Sequence, residues 1–350
     1  MKAKIEPRIN LYDRTPLETV IPLATPYIVF VDPASNCNFK CTFCPTGHRD
    51  MIKETGRYQG LLKFDIFKKV IDDLSDFESN IKVLRLYKDG EPFLNKRLAD
   101  MVAYAKQSGR VDFIDTTTNG TFITPDRLGP VLEAGLDKIN ISVDGMDEKT
   151  YLEFTGVKFD IQQFRENVRW LYANKGKCEV VVKIPGDIIT EAQKTEFFEV
   201  FGDHADRIFV ENFAPCWPNF DTEKHTGVKI QKGIYQQEVG ETDMCPYIFY
   251  GYSVNSDGQV SSCFIDWERK LIIGDVRFQT MKEIWNSELM NSLRYQHLEG
   301  KRKQNPVCGN CGQLSHCLPD NIDAHRIALR DKFRREVPRP HATAPGGWRR

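Results

Sequence analysis

Residues 35–47 read SNCNFKCTFCPTG and place three cysteines, Cys37, Cys41 and Cys44, directly after an apolar, strand-like segment. Their C-x3-C-x2-C spacing supplies three thiolates, whereas four would close a four-iron, four-sulfur (4Fe–4S) cluster. A cluster with three protein ligands keeps one iron open to a small molecule. The stretch therefore predicts a metal site with a free coordination position.

Zinc is the competing interpretation of these cysteines, because short C-x2-C spacings are common in zinc sites. A zinc site would need a fourth Cys or His nearby, and His48 is the only local candidate. Pro45 follows the third cysteine and stiffens the path to that histidine. The spacing therefore favours the cluster.

The chain has 350 residues, enough for one large domain and one small one. It opens with MKAKIEPRIN and contains no run long enough to span a bilayer, so we expect a soluble, cytoplasmic protein without a membrane partner. Ten cysteines in that setting indicate metal or redox chemistry rather than disulfides. A formal net charge of −1 argues against a nucleic-acid partner, and the basic stretch after Ala324 is expected to be a solvated tail.

Apolar strand-like runs alternate with amphipathic helical stretches along the first two thirds of the chain. This order predicts an α/β fold with a parallel sheet covered by helices. Six repeats, rather than eight, predict an open, partial (β/α)6 barrel of the TIM type. The six runs begin at Tyr27, Ile81, Val111, Lys138, Cys178 and Arg207.

Polar residues close several of these strands, and the carboxyl ends of the strands are where α/β folds place their chemistry. The candidates fall at the ends of the second to fifth strands. The second- and third-strand groups are also compatible with ordinary turn chemistry, and the fifth-strand lysine with a solvated edge residue. They are Asp89, Gly90 and Glu91; Thr118 and Asn119; Ser142 and Asp144; and Lys183.

Together with the three cysteines, these features resemble the radical S-adenosylmethionine (SAM) superfamily. The resemblance implies that Cys37, Cys41 and Cys44 hold a 4Fe–4S cluster whose open iron binds SAM. Reductive cleavage of SAM then gives a 5′-deoxyadenosyl radical that removes hydrogen from a substrate carbon. The electron comes from a donor such as flavodoxin or ferredoxin.

The resemblance also assigns roles to the candidates at the strand ends. Phe43 takes the place of an aromatic near the adenine, and residues 89–91 take the place of a glycine-glycine-glutamate motif that binds the SAM ammonium. Asp89 departs from that motif, and Thr155 stands where relatives often have an arginine. Lys183 is a candidate replacement for that arginine as a carboxylate partner. The resemblance makes SAM contacts of the remaining candidates, Thr118, Asn119, Ser142 and Asp144, with Asp144 also a candidate substrate contact.

A second group of cysteines lies in the C-terminal part. Cys245 and Cys263 frame a C-x12-G-x4-C hairpin with a turn at Gly258, and Cys308 and Cys311 follow as C-x2-C. Four thiolates in two pairs fit a structural zinc site as well as an iron–sulfur cluster. The spacing resembles the SPASM/twitch extension of radical SAM enzymes, which implies a second, auxiliary 4Fe–4S cluster.

Cys317 is left over from these four. It is either a substitute for Cys308 as a ligand or a small buried side chain. Asn321 stands where full SPASM domains have a further cysteine, so the shorter twitch form is expected.

The expected domain order is an N-terminal extension (1–25), the barrel (26–215), a linker (216–244), a small α+β twitch domain (245–317) and a basic tail (318–350). In the family, an aminocyclitol dehydrogenase with one auxiliary cluster oxidises a carbinol carbon to a ketone. The resemblance thus favours oxidation of a hydroxyl-bearing carbon of a carbohydrate or cyclitol. Peptide modification and a zinc-filled, non-enzymatic scaffold are alternatives.

Cys216 follows the sixth strand and is expected at the catalytic rim. A thiol there would return a hydrogen atom to the substrate radical, and the outcome would be epimerisation rather than oxidation. A buried cysteine beside Trp217 is the simpler explanation of the same residue.

Overall fold

The computed structural model describes residues 1–317 and 320–338. Its strands are β1 (Lys4–Ile5), β2 (Ile28–Val31), β3 (Val83–Arg85), β4 (Ile114–Thr118), β5 (Lys138–Ser142), β6 (Glu179–Pro185), β7 (Arg207–Glu211), β8 (Gly251–Val254), β9 (Gln259–Ser261) and β10 (Ile272–Asp275). Its helices are α1 (Leu17–Val20), α2 (Arg49–Thr55), α3 (Phe64–Asp72), α4 (Leu98–Ser108), α5 (Pro125–Glu133), α6 (Glu148–Thr155), α7 (Ile161–Asn174), α8 (Glu191–Phe201), α9 (Thr222–Thr226), α10 (Tyr247–Tyr250), α11 (Met281–Trp285), α12 (Glu288–Leu298), α13 (Gln313–His316) and α14 (Arg326–Glu336).

Strands β2 to β7 form a parallel sheet in which each strand pairs with the next one in the chain. Helices connect consecutive strands, so the predicted partial (β/α)6 barrel is confirmed. The helices bury one face each; in α3, for example, Phe67, Val70 and Ile71 are buried in the main core. All six predicted strands are present.

The barrel strands are not apolar throughout, because alternate residues face opposite sides of the sheet. In β3, Leu84 is buried in the core and Arg85 lines a cavity on the other side. Lys138 of β5 and Arg207 of β7 line the same cavity. The face of the sheet opposite the helices therefore encloses a charged lumen.

The small C-terminal domain continues the barrel sheet. β8 pairs in parallel with β2, and β9 and β10 follow as antiparallel strands. The predicted hairpin is present: the Gly258 amide donates to the Asn255 carbonyl at 2.9 Å, and Gly258 has a φ of 91°. That backbone angle favours glycine.

The N-terminal segment is part of the barrel rather than a separate extension. β1 pairs in parallel with β7, and the Arg207 guanidinium donates to the Pro7 carbonyl at 3.0 Å. The Lys138 ammonium donates to the Arg8 carbonyl at 2.7 Å. Residues 4 and 6–12 then line the lumen along the open side of the barrel.

The basic stretch also differs from the expected solvated tail. α14 buries Leu329 and Phe333, and the Phe333 ring packs edge-on against Tyr295 at 5.3 Å. Residues 318, 319 and 339–350 of the expected tail lie outside the described residues. Within the described part of the chain, no helix combines the length and apolar character needed to cross a membrane.

A buried ion cluster joins the two domains. The Asp89 carboxylate of the barrel accepts from Arg269 of the C-terminal domain at 2.5 Å and from Lys88 at 3.0 Å. Arg57 lies 3.5 Å from Asp89, and Arg269 is also 3.7 Å from Asp32. Because a charge removed from water needs partners, this cluster fixes how the domains meet.

The two carboxyls of the cluster respond differently to burial. Burial would raise the pKa of Asp89, but Lys88, Arg269 and Arg57 hold that pKa below its usual range. Burial, together with the charge of Asp89, raises the pKa of Asp32 to about 6. Asp32 therefore depends most on Arg269 for its charge.

Replacing Arg269 with Met should lower the free energy of unfolding by about 3–5 kcal/mol, because Asp32 loses its cation and Asp89 loses one of three. The loss should grow as pH rises from 4 to 8. Asp32 is protonated more readily in the folded variant than in the unfolded chain, so raising the pH removes that stability. Denaturant unfolding at several pH values measures both effects.

Lys270→Met is the matched control, since Lys270 is the next residue and pairs with Glu268 at a site that is partly open to solvent. It should change the unfolding free energy by about 1 kcal/mol or less. Equal losses in the two variants would show that the buried cluster is not what couples the domains.

Candidate functional site

The three cysteines of residues 35–47 lie in the loop between β2 and α2. The amide of Lys40 donates to the Thr155 carbonyl at 2.8 Å, which ties the loop to the end of α6. The Phe39 amide donates to the Cys37 thiol sulfur at 3.5 Å. Burial raises the pKa of Cys37 to about 12 and that of Cys44 above its ordinary value. Thiols in such a place become thiolates when a metal supplies the opposing charge.

His48, the local candidate for a zinc ligand, is engaged elsewhere. Its Nε2 lies 3.0 Å from the Thr42 carbonyl oxygen, and its ring centre is 4.2 Å from that of His225. The Phe220 ring packs against both histidines. The imidazole is thus held among other side chains rather than free for the cysteines.

Gly90 brings the second motif against the cysteine loop. A Cβ at this position would lie 2.0 Å from the Asn36 carbonyl oxygen and 2.4 Å from that of Ala34. The following amide, of Glu91, donates to the Asn36 carbonyl at 2.9 Å. Only glycine allows this approach, which holds residues 89–91 beside Cys37.

The Glu91 carboxylate is buried and accepts three hydrogen bonds. Its donors are the Thr118 hydroxyl at 2.9 Å, the Asn119 amide at 2.9 Å and the Phe93 amide at 3.1 Å. Burial raises the pKa of Glu91 to about 7, against these hydrogen bonds. The Asn119 side chain also reaches the Cys37 sulfur at 3.8 Å, so the ends of β3 and β4 meet at the cysteine loop.

Asp144 and Lys183 lie together where β5 and β6 end. Val143 is buried in the main core, as the alternation requires if Ser142 and Asp144 face the other side. Burial raises the pKa of Asp144 to about 6, and the charge of Lys183 opposes that rise. The Lys183 ammonium contacts the Glu211 carboxylate at 2.9 Å, so it has a partner within the protein.

Phe43 packs against Phe213, with 5.0 Å between ring centres. The structure thus brings residues 89–91, Thr118 and Asn119 to the cysteine loop. Asp144 is close enough to Cys41 for their charges to interact, whereas Lys183 pairs with Glu211. The Asp89 side chain differs from the other candidates, because its carboxylate is held in the ion cluster with Arg57, Lys88 and Arg269.

A second group of thiols surrounds a small cavity in the C-terminal domain. Cys245, Cys263, Cys308 and Cys311 all line it, and its volume is about 20 Å³. Burial raises the pKa of Cys245 to about 11 and that of Cys311 to about 12. The Arg302 guanidinium lines the same cavity and donates to the Cys308 carbonyl. The remaining walls are largely apolar, from Ile248, Ile265, Leu271, Val307 and Leu314.

Four thiols around an apolar cavity fit a cluster, because the thiolate ligands of a cluster lie further apart than the ligands of a single ion. Over residues 1–317 and 320–338, no group of three or more Cys, His, Asp or Glu side chains is placed to hold one metal ion. A cluster bound by four thiolates carries net negative charge, and Arg302 places a cation beside it. The donor set therefore fits the auxiliary cluster expected for this spacing.

Cys317 lies apart from these four. It lines a larger cavity together with Cys216, and the two side chains are hydrogen-bonded. The Cys311 thiol donates to the Cys216 carbonyl at 3.9 Å, so the pair is adjacent to the small cavity. Of the two explanations for Cys317, the geometry matches a side chain outside the four-thiol set.

The larger cavity has a volume of about 880 Å³ and occupies the barrel lumen. Trp217 and Tyr247 line it, whereas Phe220 belongs to a separate cluster with Ile52 and Trp267. Its other aromatic and charged walls include Phe30, Tyr87, Tyr235, Tyr250, Phe264, Arg8, Arg85, Lys88 and Asp115.

Sequence reasoning missed several of these lumen residues. The sequence pattern predicts a separate extension around Arg8, with no role for that residue, and an apolar strand around Arg85. The alternation Leu84, Arg85, Leu86, Tyr87 was the available signal, since every second residue points into the lumen. No comparable signal marks Arg8.

Comparison with known proteins gives matches to both parts of the chain. The model of the radical SAM superfamily matches residues 31–197, and that of an iron–sulfur cluster-binding (SPASM) domain matches residues 245–312. The Fe-coproporphyrin III synthase of Methanosarcina barkeri (strain Fusaro / DSM 804) is 32% identical over 131 residues, which are 37% of this chain and 30% of that protein. The match thus spans under a third of that relative's length.

Two solved structures share the fold over most of the chain. The structure of BtrN in complex with AdoMet and 2-DOIA has a TM-score of 0.53 and 20% identity, and covers 84% of this chain and 96% of that one. The structure of Streptococcus suis SuiB bound to precursor peptide SuiA has a TM-score of 0.58 and 14% identity, and covers 86% and 73%. At these identities the likeness shows the fold.

The two matched domains account for both thiol sets. A radical SAM domain implies a 4Fe–4S cluster and SAM, and a SPASM domain implies further iron–sulfur ligation. The matched ranges include Cys37, Cys41 and Cys44 in one domain and Cys245, Cys263, Cys308 and Cys311 in the other. The chain therefore contains a radical SAM domain over residues 31–197 and an iron–sulfur cluster-binding (SPASM) domain over residues 245–312.

Proposed function

We propose that this enzyme oxidises a hydroxyl-bearing carbon of a carbohydrate or cyclitol. The observation that carries the proposal is a shared wall between the two cavities. Tyr247, Ile265 and Gln313 line both the large lumen cavity and the small cavity surrounded by four thiols. A substrate in the lumen would thus lie one side chain away from the auxiliary site.

The cofactor sites follow from the two sets of thiols. Cys37, Cys41 and Cys44 would hold the SAM-binding cluster, and Cys245, Cys263, Cys308 and Cys311 the auxiliary one. When bound, SAM and the first cluster supply a hydrogen-abstracting 5′-deoxyadenosyl radical, and the auxiliary cluster supplies an electron acceptor. A reducing donor such as flavodoxin or ferredoxin would provide the initial electron.

The SAM contacts would come from the strand ends that meet at the cysteine loop. Phe43 would pack on the adenine, and residues 89–91 would present backbone groups, because the Asp89 carboxylate is committed to its three cations. Ser142, Asp144 and Lys183 would contact the opposite end of SAM. The Glu91 carboxylate is held in place by hydrogen bonds from Thr118 and Asn119. These buried hydrogen bonds keep the acidic groups fixed before SAM binds.

The lumen suits a small ring better than an extended chain. Its volume of about 880 Å³ lies within the usual range for small-molecule sites. Trp217, Tyr247 and Tyr250 provide aromatic faces, which pack well against sugar and cyclitol rings. The BtrN structure of similar fold holds AdoMet and the small molecule 2-DOIA, whereas the SuiB structure holds a peptide.

Epimerisation is the second candidate, and the position of Cys216 favours it. The Cys216 thiol lies on the cavity wall, in hydrogen-bond contact with Cys317. A thiol at this place would return a hydrogen atom to the substrate radical from a side fixed by the protein. Oxidation takes precedence because the four-thiol site shares its wall with the same cavity.

The first prediction concerns the open-iron site. Replacing Cys37, Cys41 and Cys44 together with Ala should remove one cluster, so that iron after anaerobic reconstitution falls from about eight to about four per chain. Reductive formation of 5′-deoxyadenosine should stop, since no open iron remains. Cys178→Ala, in the buried core at the start of β6, is the control and should change neither value. Undiminished 5′-deoxyadenosine in the triple variant would contradict the assignment.

The second prediction separates the auxiliary ligands from Cys317. Cys263→Ala should lose auxiliary iron and destabilise the C-terminal domain, because metal binding there is linked to folding. SAM cleavage should continue without oxidised product. Cys317→Ala should keep its full iron content, as measured by iron and labile-sulfide analysis. Iron loss in the Cys317 variant and retention in the Cys263 variant would reverse the ligand assignment.

The third prediction decides between oxidation and epimerisation. For oxidation, the substrate radical loses an electron and a proton, so in deuterated water no deuterium should appear at the reacting carbon. Cys216→Ala should then leave product formation largely intact. Deuterium at that carbon, lost together with turnover in the Cys216 variant but kept in Cys178→Ala, would establish epimerisation instead. Mass spectrometry of the product measures the label.

A further inference from the structure

More cations than carboxylates line the cavity in the barrel lumen. They are Lys4, Arg8, Arg14, Arg85, Lys88, Lys138 and Arg207 against Glu6, Asp115, Glu179 and Asp206. Lys138 and Arg207 share Glu179, at 3.9 and 2.7 Å, and Arg85 pairs with Asp115 at 3.0 Å. Two further cations, Arg8 and Lys183, share the carboxylate of Glu211 at 3.6 and 2.9 Å. These ion pairs join five cations, Arg8, Arg85, Lys138, Lys183 and Arg207, to three carboxylates, Asp115, Glu179 and Glu211. Lys183 and Glu211 are not among the residues that line the cavity.

Arg8 forms an ion pair with Glu211 but no hydrogen bond to it. Its Nε is 3.6 Å from Glu211, beyond hydrogen-bond distance, and has no hydrogen-bond partner. The side chain keeps 25% of its surface exposed, and it lines the 880 Å³ cavity. Glu211 directs its closer contact to Lys183. The Nε is therefore a buried donor without a hydrogen-bond partner, on a side chain that lines the lumen cavity.

Three polar groups stand beside the Arg8 guanidinium. Arg85 is close enough for the two positive charges to repel, and it donates to the Tyr87 hydroxyl at 2.8 Å. The Tyr235 side chain is hydrogen-bonded to Arg8. Arg8, Arg85, Tyr87 and Tyr235 all line the lumen cavity. Two cations with hydroxyl donors between them form a pocket complementary to an oxyanion.

Hydrogen bonds fix the backbone around Arg8, so the guanidinium starts from a fixed position on the lumen wall. Hydrogen bonds from Lys138 and Arg207 hold the carbonyls of Arg8 and Pro7, and β1 pairs with β7 just before them. A pre-organised donor loses little entropy on binding. This is what a substrate-holding residue requires.

We propose that Arg8, with Arg85, Tyr87 and Tyr235, binds an oxyanion group of the substrate, a carboxylate or a phosphate. The inference rests on the proposed function in one respect, the location of substrate in the lumen. The substrate is then an acidic or phosphorylated carbohydrate or cyclitol. Its anionic group lies near the end of β7, and its reacting carbon lies toward the cysteine loop.

Equilibrium dialysis of the reconstituted enzyme tests this without any turnover. Radiolabelled inorganic phosphate and acetate are the probes, in separate arms, at an ionic strength held constant with potassium chloride. Saturable binding of about one anion per chain in either arm supports the subsite, and the tighter arm identifies the oxyanion. Absence of saturable binding in both arms overturns it.

Variants then place the anion at Arg8. Arg8→Gln should weaken binding about tenfold or more, because a charge-assisted hydrogen bond is lost, while Arg8→Lys should weaken it less. Arg97→Gln, which removes an exposed arginine paired with Asp100, should bind as the wild type does. Binding equal to wild type in a folded Arg8→Gln variant overturns the proposal.

Glu211→Gln provides a second test in case Arg8→Gln fails to fold. It removes the carboxylate that competes for Arg8, so oxyanion binding should become tighter. A purely structural role for Arg8 predicts no gain in this variant, and an unchanged or weaker affinity overturns the subsite. Oxidation of a neutral cyclitol by an enzyme that binds neither anion would leave the proposed function intact and reject the subsite alone.

Discussion

The buried charges around Asp89 hold this molecule together at its functional centre. Asp89 belongs to the loop that Gly90 presses against the cysteine loop, and Arg269 reaches it from the C-terminal domain at 2.5 Å. Arg57, which is fully buried, connects the same carboxylate to the Trp267 carbonyl at 3.0 Å. Because these charges are buried, separating the domains would leave Arg269 without both of its carboxylates and would leave Asp32 and Asp89 without Arg269. The position of the two thiol sets relative to one another therefore depends on this cluster.

The same contacts explain a departure from the family pattern. Glycine is usual at position 89 in the SAM-binding motif that residues 89–91 resemble, and the close backbone approach is made instead by Gly90. An aspartate is tolerated because its side chain turns toward Arg57, Lys88 and Arg269. A residue that looked like a weakened SAM contact is thus the anchor between domains.

Much of the architecture could be predicted from local patterns. A short-range signal in spacing, periodicity or turn residues marks the six barrel strands, the cysteine loop and the hairpin whose turn is at Gly258. The path of the C-terminal sheet has no such signal, since the pairing of β8 with β2 joins residues far apart in sequence. The role of the N-terminal segment was missed for the same reason: Arg8 acquires meaning only beside Glu211 and Tyr235.

The distinction between initiation and substrate choice follows from how these residues are arranged. Initiation depends on one loop and the strand ends packed on it, so a few motifs describe it. Substrate choice depends on the lumen, whose walls come from β1, the barrel strands and the C-terminal domain at once. Tyr247 and Gln313 form the wall toward the four-thiol cavity, while Arg8 and Arg85 form the charged wall. Under the proposed function and the proposed oxyanion subsite, a substrate would have one orientation in the lumen, and that orientation would select which carbon faces the cysteine loop.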